Sequence, residues 1–168
     1  MGSMNKKGHV LNAILLAIGV GYVLEPSGDV PTFVAIAEVS MPLVLGALFP
    51  DVDTAFGKHR KTLHNIPILA VFLAYPYFFG NLAFVWAGIL SHYVLDMLGS
   101  RRGIALFYPF WDEEFGSPTG VTTSSKFADV VTIVVTLIEV AVFAAFVYLL
   151  PQYLPPGLEL GGVTTMIQ

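Results

Sequence analysis

A chain of 168 residues that is 55% hydrophobic and only 12% charged has too few charges to coat an ordinary water-soluble domain, and its strongly positive mean hydropathy points to lipid as its surroundings. Cysteine is absent, which excludes a disulfide framework and a thiolate metal site; any metal must be held by imidazole and carboxylate from four histidines, six aspartates and six glutamates. The net charge of -4 comes without a basic stripe interleaved with aromatics, so no nucleic-acid partner is expected.

In chain order, Met1-Gly2-Ser3-Met4 reads as an expression remnant ahead of a native Met4. The short charged start that follows lacks the small-residue cleavage site of a signal peptide, so the first apolar run is expected to stay in the protein. Apolar runs occupy 10–24, 33–49, 66–79, 82–98 and 130–150. They predict an all-α integral membrane protein, a bundle of about five transmembrane or partly re-entrant helices in one multi-pass domain spanning 1–168, with 151–168 an irregular tail. Only the last run has the roughly 20 residues of a full crossing, so the others need tilt, re-entry or extension by their flanks. Pro42, Pro67 and Pro76 bend or start helices, because neighbours in a bundle satisfy the freed carbonyls.

The eight basic residues then fix an orientation. Lys6 and Lys7 precede the first run, Lys58, Arg60 and Lys61 follow the second, and Arg101, Arg102 and Lys126 lie between the fourth and fifth. All fall on one side, opposite Glu25, Asp29 and Glu159, which predicts a cytoplasmic N-terminus in an inner or plasma membrane. On the same side lie His9, the "FPDVD" that ends the second run, "KHRKTLHN", and His92 with Asp96. A spacing of four puts His92 and Asp96 on one helix face, with His92 on the order of 9 Å inside the helix end. There an ionisable pair needs partners, and a cation uses both side chains.

Single residues carry less. Asp51 is the preferred ligand over Asp53, because only one of them is expected to turn into the bundle from a helix end; Asp53 stands behind it. His64, next to the third run, is the preferred ligand of its loop, while His59 is left between ligand, general acid and solvated residue. Arg60 offers a planar fork for phosphate or contacts anionic headgroups, and Lys61 is assigned to the headgroups. Glu38 and Glu139 read as neutral or paired bundle residues, with Glu38 an outside candidate for general base. "YPFWDEEF" reads as an interfacial aromatic stretch or a lid, and "GSPTGVTTSSK" as a flexible loop.

The stretches "LGALFPDVD", "HRKTLH" and "HYVLDMLGSRRGIALFYPF", together with His9, resemble the YdjM-like family of LexA-binding, inner-membrane-associated, metal-dependent hydrolases over about residues 8–112. Two positions depart from the family pattern: Thr54 stands where a histidine often follows the second aspartate, and Leu63-His64-Asn65 replaces Thr-His-Ser. The resemblance implies a small integral membrane protein with a metal site at His9, Asp51, His59, His64, His92 and Asp96, and a distant similarity to zinc-dependent phospholipase C type enzymes. The expectation is a hydrolase that cleaves an amphiphilic, phosphoester or phospholipid substrate at the cytoplasmic face. One or two divalent ions, zinc or manganese, would be bound by His9, Asp51, His64, His92 and Asp96, with His59, Arg60 and Asp53 as catalytic groups. Membrane lipid is both environment and candidate substrate. Two alternatives stay open: a metal-binding protein for structure, sensing or transport, and a metal-free phosphatase forming a phosphohistidine on His92 with Asp96 as its orienting group.

Overall fold

A computed structural model describes residues 6–80, 82–100, 102–118, 120 and 125–153. The expected remnant at 1–4, Arg101, Glu159, and the middle of the 116–126 loop lie outside them. Along the chain run α1 (Lys6–Leu24), α2 (Val30–Leu48), a 3-10 turn (Pro50–Ala55), α3 (Ile66–Phe79), α4 (Val85–Gly99), α5 (Ala128–Tyr148) and the short α6 (Leu150–Tyr153). Among the described residues the only β pairing is a single bridge between Ile104 and Phe115. The molecule is an all-α membrane bundle in which α1, α2, α4 and α5 form the body and α3 leans on α4.

Three helical stretches are long and apolar enough to cross a membrane: α1, α2 together with the 3-10 turn (Val30–Ala55), and α5. Flanks lengthen the first two beyond their apolar runs. α1 reaches back to Lys6, and α2 starts at Val30 because Pro31 in its first turn already has a helical φ and no N–H to satisfy. The fourth run is shorter than expected. Leu82 and Phe84 have φ of 56° and 64°, a left-handed backbone that no helix continues, so α4 begins at Val85. The tail expected to be irregular from 151 is still helical to Tyr153, and residues 154–168 lie outside the described part.

Between helices in lipid the drive to pack is close contact, and small residues provide it. α1 buries His9, Asn12, Ala13, Leu16, Ala17, Val20 and Gly21, a stripe of three- and four-residue steps that runs along its whole length. α2 and α4 meet through Gly46 and Gly88. A Cβ on Gly88 would strike the Leu43 carbonyl, and one on Gly46 the Val85 carbonyl, so both backbones touch there. That approach sets the depth at which α4 presents its histidine to the end of α2. The other core contacts are Leu16, Ala17, Val20, Val39 and Leu43 between α1 and α2, Val85, Ile89, Tyr93 and Ile104 around α4, and Leu95 with Val135 between α4 and α5.

Candidate metal centre

Each ligating side chain comes from a segment with its own local logic. His9 and Asn12 sit one turn apart on the buried stripe of α1. After α2, Pro50 closes the helix into the tighter 3-10 turn, which at three residues per turn throws both Asp51 and Asp53 inward, 6% and 0% exposed. Only one aspartate was expected inside; the tighter turn explains why both are. The chain then folds back through Gly57 and the left-handed Arg60 (φ 70°) and delivers His64 just ahead of α3. Asn65 caps α3: its side chain accepts from Ile68 N at 3.1 Å and donates to the Lys61 and Thr62 carbonyls at 2.7 and 2.9 Å. The Tyr93 hydroxyl, donating to Leu63 O at 2.6 Å, ties this turn to α4.

At the centre, His64 Nε2 and His92 Nε2 are 3.1 Å apart. The outer nitrogens of both rings are committed. His92 Nδ1 donates to Ala47 O at 2.7 Å and His64 Nδ1 to Asp53 Oδ2 at 2.9 Å, and since neither oxygen can donate, both Nδ1 atoms carry the proton. In the neutral rings two Nε2 lone pairs therefore point at each other, an arrangement that only a shared cation or an added proton makes favourable. Burial pushes the His64 imidazole below its ordinary range, against the Asp53 hydrogen bond. Around the same point stand Asp51 Oδ1, 3.9 Å from each Nε2, and Asp96 Oδ2, 3.7 Å from His64 and 3.6 Å from His92. Ligands about 2.0–2.1 Å from a tetrahedral zinc lie roughly 3.4 Å from one another, so the two ring nitrogens with either carboxylate oxygen are close to the spacing of ligands on one ion.

His9 lies on the far side. Its ring stacks on His92 with centroids 3.8 Å apart, and its Nε2 is 3.6 Å from Asp96 Oδ1. Both His9 nitrogens and both Asp96 oxygens are buried without a hydrogen-bond partner among the described residues. Orphaned polar atoms at 0–1% exposure are costly unless something binds them, and a cation satisfies this set. The donors fall into three overlapping triads, each with donor atoms within 4.8 Å: His9–His92–Asp96, Asp51–His64–His92 and Asp53–His59–His64.

All five expected metal ligands thus converge, and so do two of the three expected catalytic groups. Asp53 accepts from His59 Nδ1 at 3.0 Å, His64 Nδ1 at 2.9 Å and Leu63 N at 3.3 Å, so its carboxylate holds two rings in one tautomer. His59, the one ring of the four with appreciable exposure, 31% of its side chain, stands at the mouth beside Asp51. Arg60 turns away from solvent: it is 2% exposed, its Nη1 donates to Ser100 Oγ and Gly103 O at 3.0 and 2.9 Å, and its Nη2 is buried without a partner among the described residues. Lys61 pairs with Asp112 at 3.3 Å. The aromatic stretch runs as a loop closed by the Ile104–Phe115 bridge and by Arg102 bidentate on Glu114 at 2.6 and 2.9 Å, with Phe110 and Trp111 exposed.

Glu139 is a paired bundle residue. Asn12 Nδ2 donates to Glu139 Oε2 and Thr136 Oγ1, both at 2.8 Å, and Ser91 donates to Asn12 Oδ1. Sequence reasoning passed over Asn12 and Ser91, although one lies a turn beyond His9 and the other precedes His92. Ala47 was out of reach altogether, because its backbone carbonyl leaves no mark on residue type.

A family model, the YdjM inner membrane protein family, matches residues 4–155. No curated protein and no solved structure matches the chain.

Proposed function

Because the chain belongs to the YdjM inner membrane protein family, we propose that it is a membrane-embedded, metal-dependent hydrolase whose substrate is an amphiphilic phosphoester. The observation that carries the metal is the pair of His64 and His92 Nε2 lone pairs facing each other at 3.1 Å inside two carboxylates. His9, Asp51, His64, His92 and Asp96 would hold one or two divalent ions, zinc or manganese, and an ion there would supply Lewis acidity and an acidified water at neutral pH.

The chain's own groups divide the remaining work. With Nδ1 donating to Asp53, His59 has a free Nε2 lone pair at the mouth, suited to take a proton and return it to a leaving oxygen. Asp53 positions His59 and His64 together. Arg60 argues for an anionic substrate: its buried guanidinium has Nη1 fixed by Ser100 and Gly103 and Nη2 without a partner among the described residues, and an anionic oxygen is its natural complement. The membrane setting makes a phospholipid the first substrate to try, approached with the N-terminus in the cytoplasm as the basic residues indicate. A phosphohistidine mechanism finds less support, because the Nδ1 of His92 is oriented by Ala47 O rather than Asp96 and the ring is fully buried.

The test is metal content by mass spectrometry on protein purified in mild detergent, beside His92→Ala and Asp96→Ala with their helical content checked. One or two equivalents of zinc or manganese in the wild type, lost in both variants, is expected. Hydrolysis of phosphatidylglycerol and phosphatidylethanolamine should then stop with chelator. Arg60→Ala should keep the metal and lose about 10²–10³ in kcat, the scale of one oxyanion donor. Folded wild type that cannot be loaded with any divalent ion overturns the proposal, and an Arg60→Ala enzyme at full rate removes the phosphoester from it.

A further inference from the structure

At the opposite end of the helices from the metal centre, Leu24 and Glu25 of the first helical hairpin, Val30, Pro31, Val34, Ala35, Glu38 and Val39 of its second arm, and Phe84 line a groove of about 400 Å³. Glu38 lies eight residues into α2, about 12 Å along it. It is exposed, and its carboxylate has no partner among the described residues. Pro42, four residues on, has no N–H to give the Glu38 carbonyl, so the usual helix partner of that carbonyl is missing. Along the same outward side of α2, Val30, Phe33, Val34, Met41 and Leu45 are 72%, 62%, 49%, 71% and 53% exposed, a helix-length apolar stripe with the carboxylate at its middle.

A charge in that setting is costly without a counter-ion. The chain does not provide one, since all eight Lys and Arg residues flank the metal end: in the first turn of α1, after the 3-10 turn, after α4 and before α5. A second copy brings no basic residue to this depth either. Beside the groove the backbone is held at positive φ in Leu82 and Phe84, strain that persists only where surrounding structure fixes it.

We propose that this face of α2 is the docking seam for a transmembrane helix of a partner protein, which lays its apolar side on Val30, Val34 and Met41 and extends a lysine or arginine to Glu38. An ammonium has three donors and no acceptor, so it complements the carboxylate. The length of the stripe favours a helix over a small amphiphile.

The probe is a membrane-spanning leucine–alanine peptide with a single central lysine, compared with its all-apolar counterpart. Binding to the labelled full-length protein in phosphatidylcholine vesicles is read by energy transfer. The lysine peptide is expected to bind about tenfold or more tightly than its counterpart. The difference should vanish in Glu38→Gln, and binding should fall in Val34→Trp, which fills the groove and keeps the carboxylate. Equal binding of the two peptides overturns the proposal. A preference that survives both variants overturns it by placing the contact elsewhere. Loss of the preference when phosphatidylethanolamine replaces phosphatidylcholine assigns the groove to a lipid amine instead. Energy transfer between two labelled copies that depends on Glu38 assigns it to self-association.

Discussion

Asp53→Asn keeps the shape of the side chain and changes what it can accept. The carboxylate takes N–H donors from His64 Nδ1 at 2.9 Å and His59 Nδ1 at 3.0 Å, plus Leu63 N at 3.3 Å, in a site with no solvent exposure. An amide has one accepting oxygen, and its NH2 must face one of the two rings. Where it faces His64, that ring can keep a hydrogen bond only by moving its proton to Nε2, the atom 3.1 Å from His92 Nε2, and the ligand lone pair is lost. Removal of such an outer partner costs about 10- to 100-fold in metal affinity, which is about 1.4–2.8 kcal/mol. Competition against a chromophoric zinc chelator in detergent measures it, with circular dichroism to show that the helices persist. A folded Asp53→Asn protein whose zinc Kd lies within about twofold of wild type would refute the tautomer assignment on which the centre rests.

Other expectations follow from single contacts. Gly88→Ala drives a Cβ into the Leu43 carbonyl and within 2.8 Å of Ala47 N, so it should cost about 1–3 kcal/mol in unfolding and weaken zinc binding with it, because the displaced Ala47 carbonyl orients His92. Asn65→Ala removes the cap of α3 and both donors to the 61–62 carbonyls; thermal unfolding should show a loss of about 1–2 kcal/mol. The Arg102 guanidinium holds the Glu114 carboxyl below its ordinary value of 4.5, so the pair tightens the aromatic loop fully above that pH and releases it as pH falls through the lowered value. Trp111 fluorescence in a Trp86→Phe background should report an acid transition there, and Glu114→Gln should flatten it.

His92 and Asp96 were legible because a four-residue spacing is a geometric statement about any helix, and the apolar run around them left no doubt that there is one. The inward turn of both Asp51 and Asp53 was not, since it depends on a 3-10 pitch that Pro50 permits but does not dictate. Arg60 was read as facing phosphate or headgroups; its burial against Ser100 and Gly103 depends on a contact 40 residues distant that no local pattern records. The start of α4 was misplaced for a related reason: Leu82 and Phe84 suit a helix by type, and nothing in their residue type marks the positive φ they adopt. The helix ends of α2 and α3 were nearer to hand, because Pro31 and the Asn65-Ile66-Pro67 start act locally.

The five donors at the centre are ordered 9, 51, 64, 92 and 96 along the chain, and this bears on how the protein is made. A ribosome that has released α1 to α3 has supplied His9, Asp51 and His64, with Asp53 and His59 beside them, but neither donor of α4. Completion of α4 adds the last two donors together, four residues apart, while α5 is still to come. An ion held by all five donors would therefore bind late in membrane insertion, only once α4 has emerged and the Gly46 and Gly88 backbones have met.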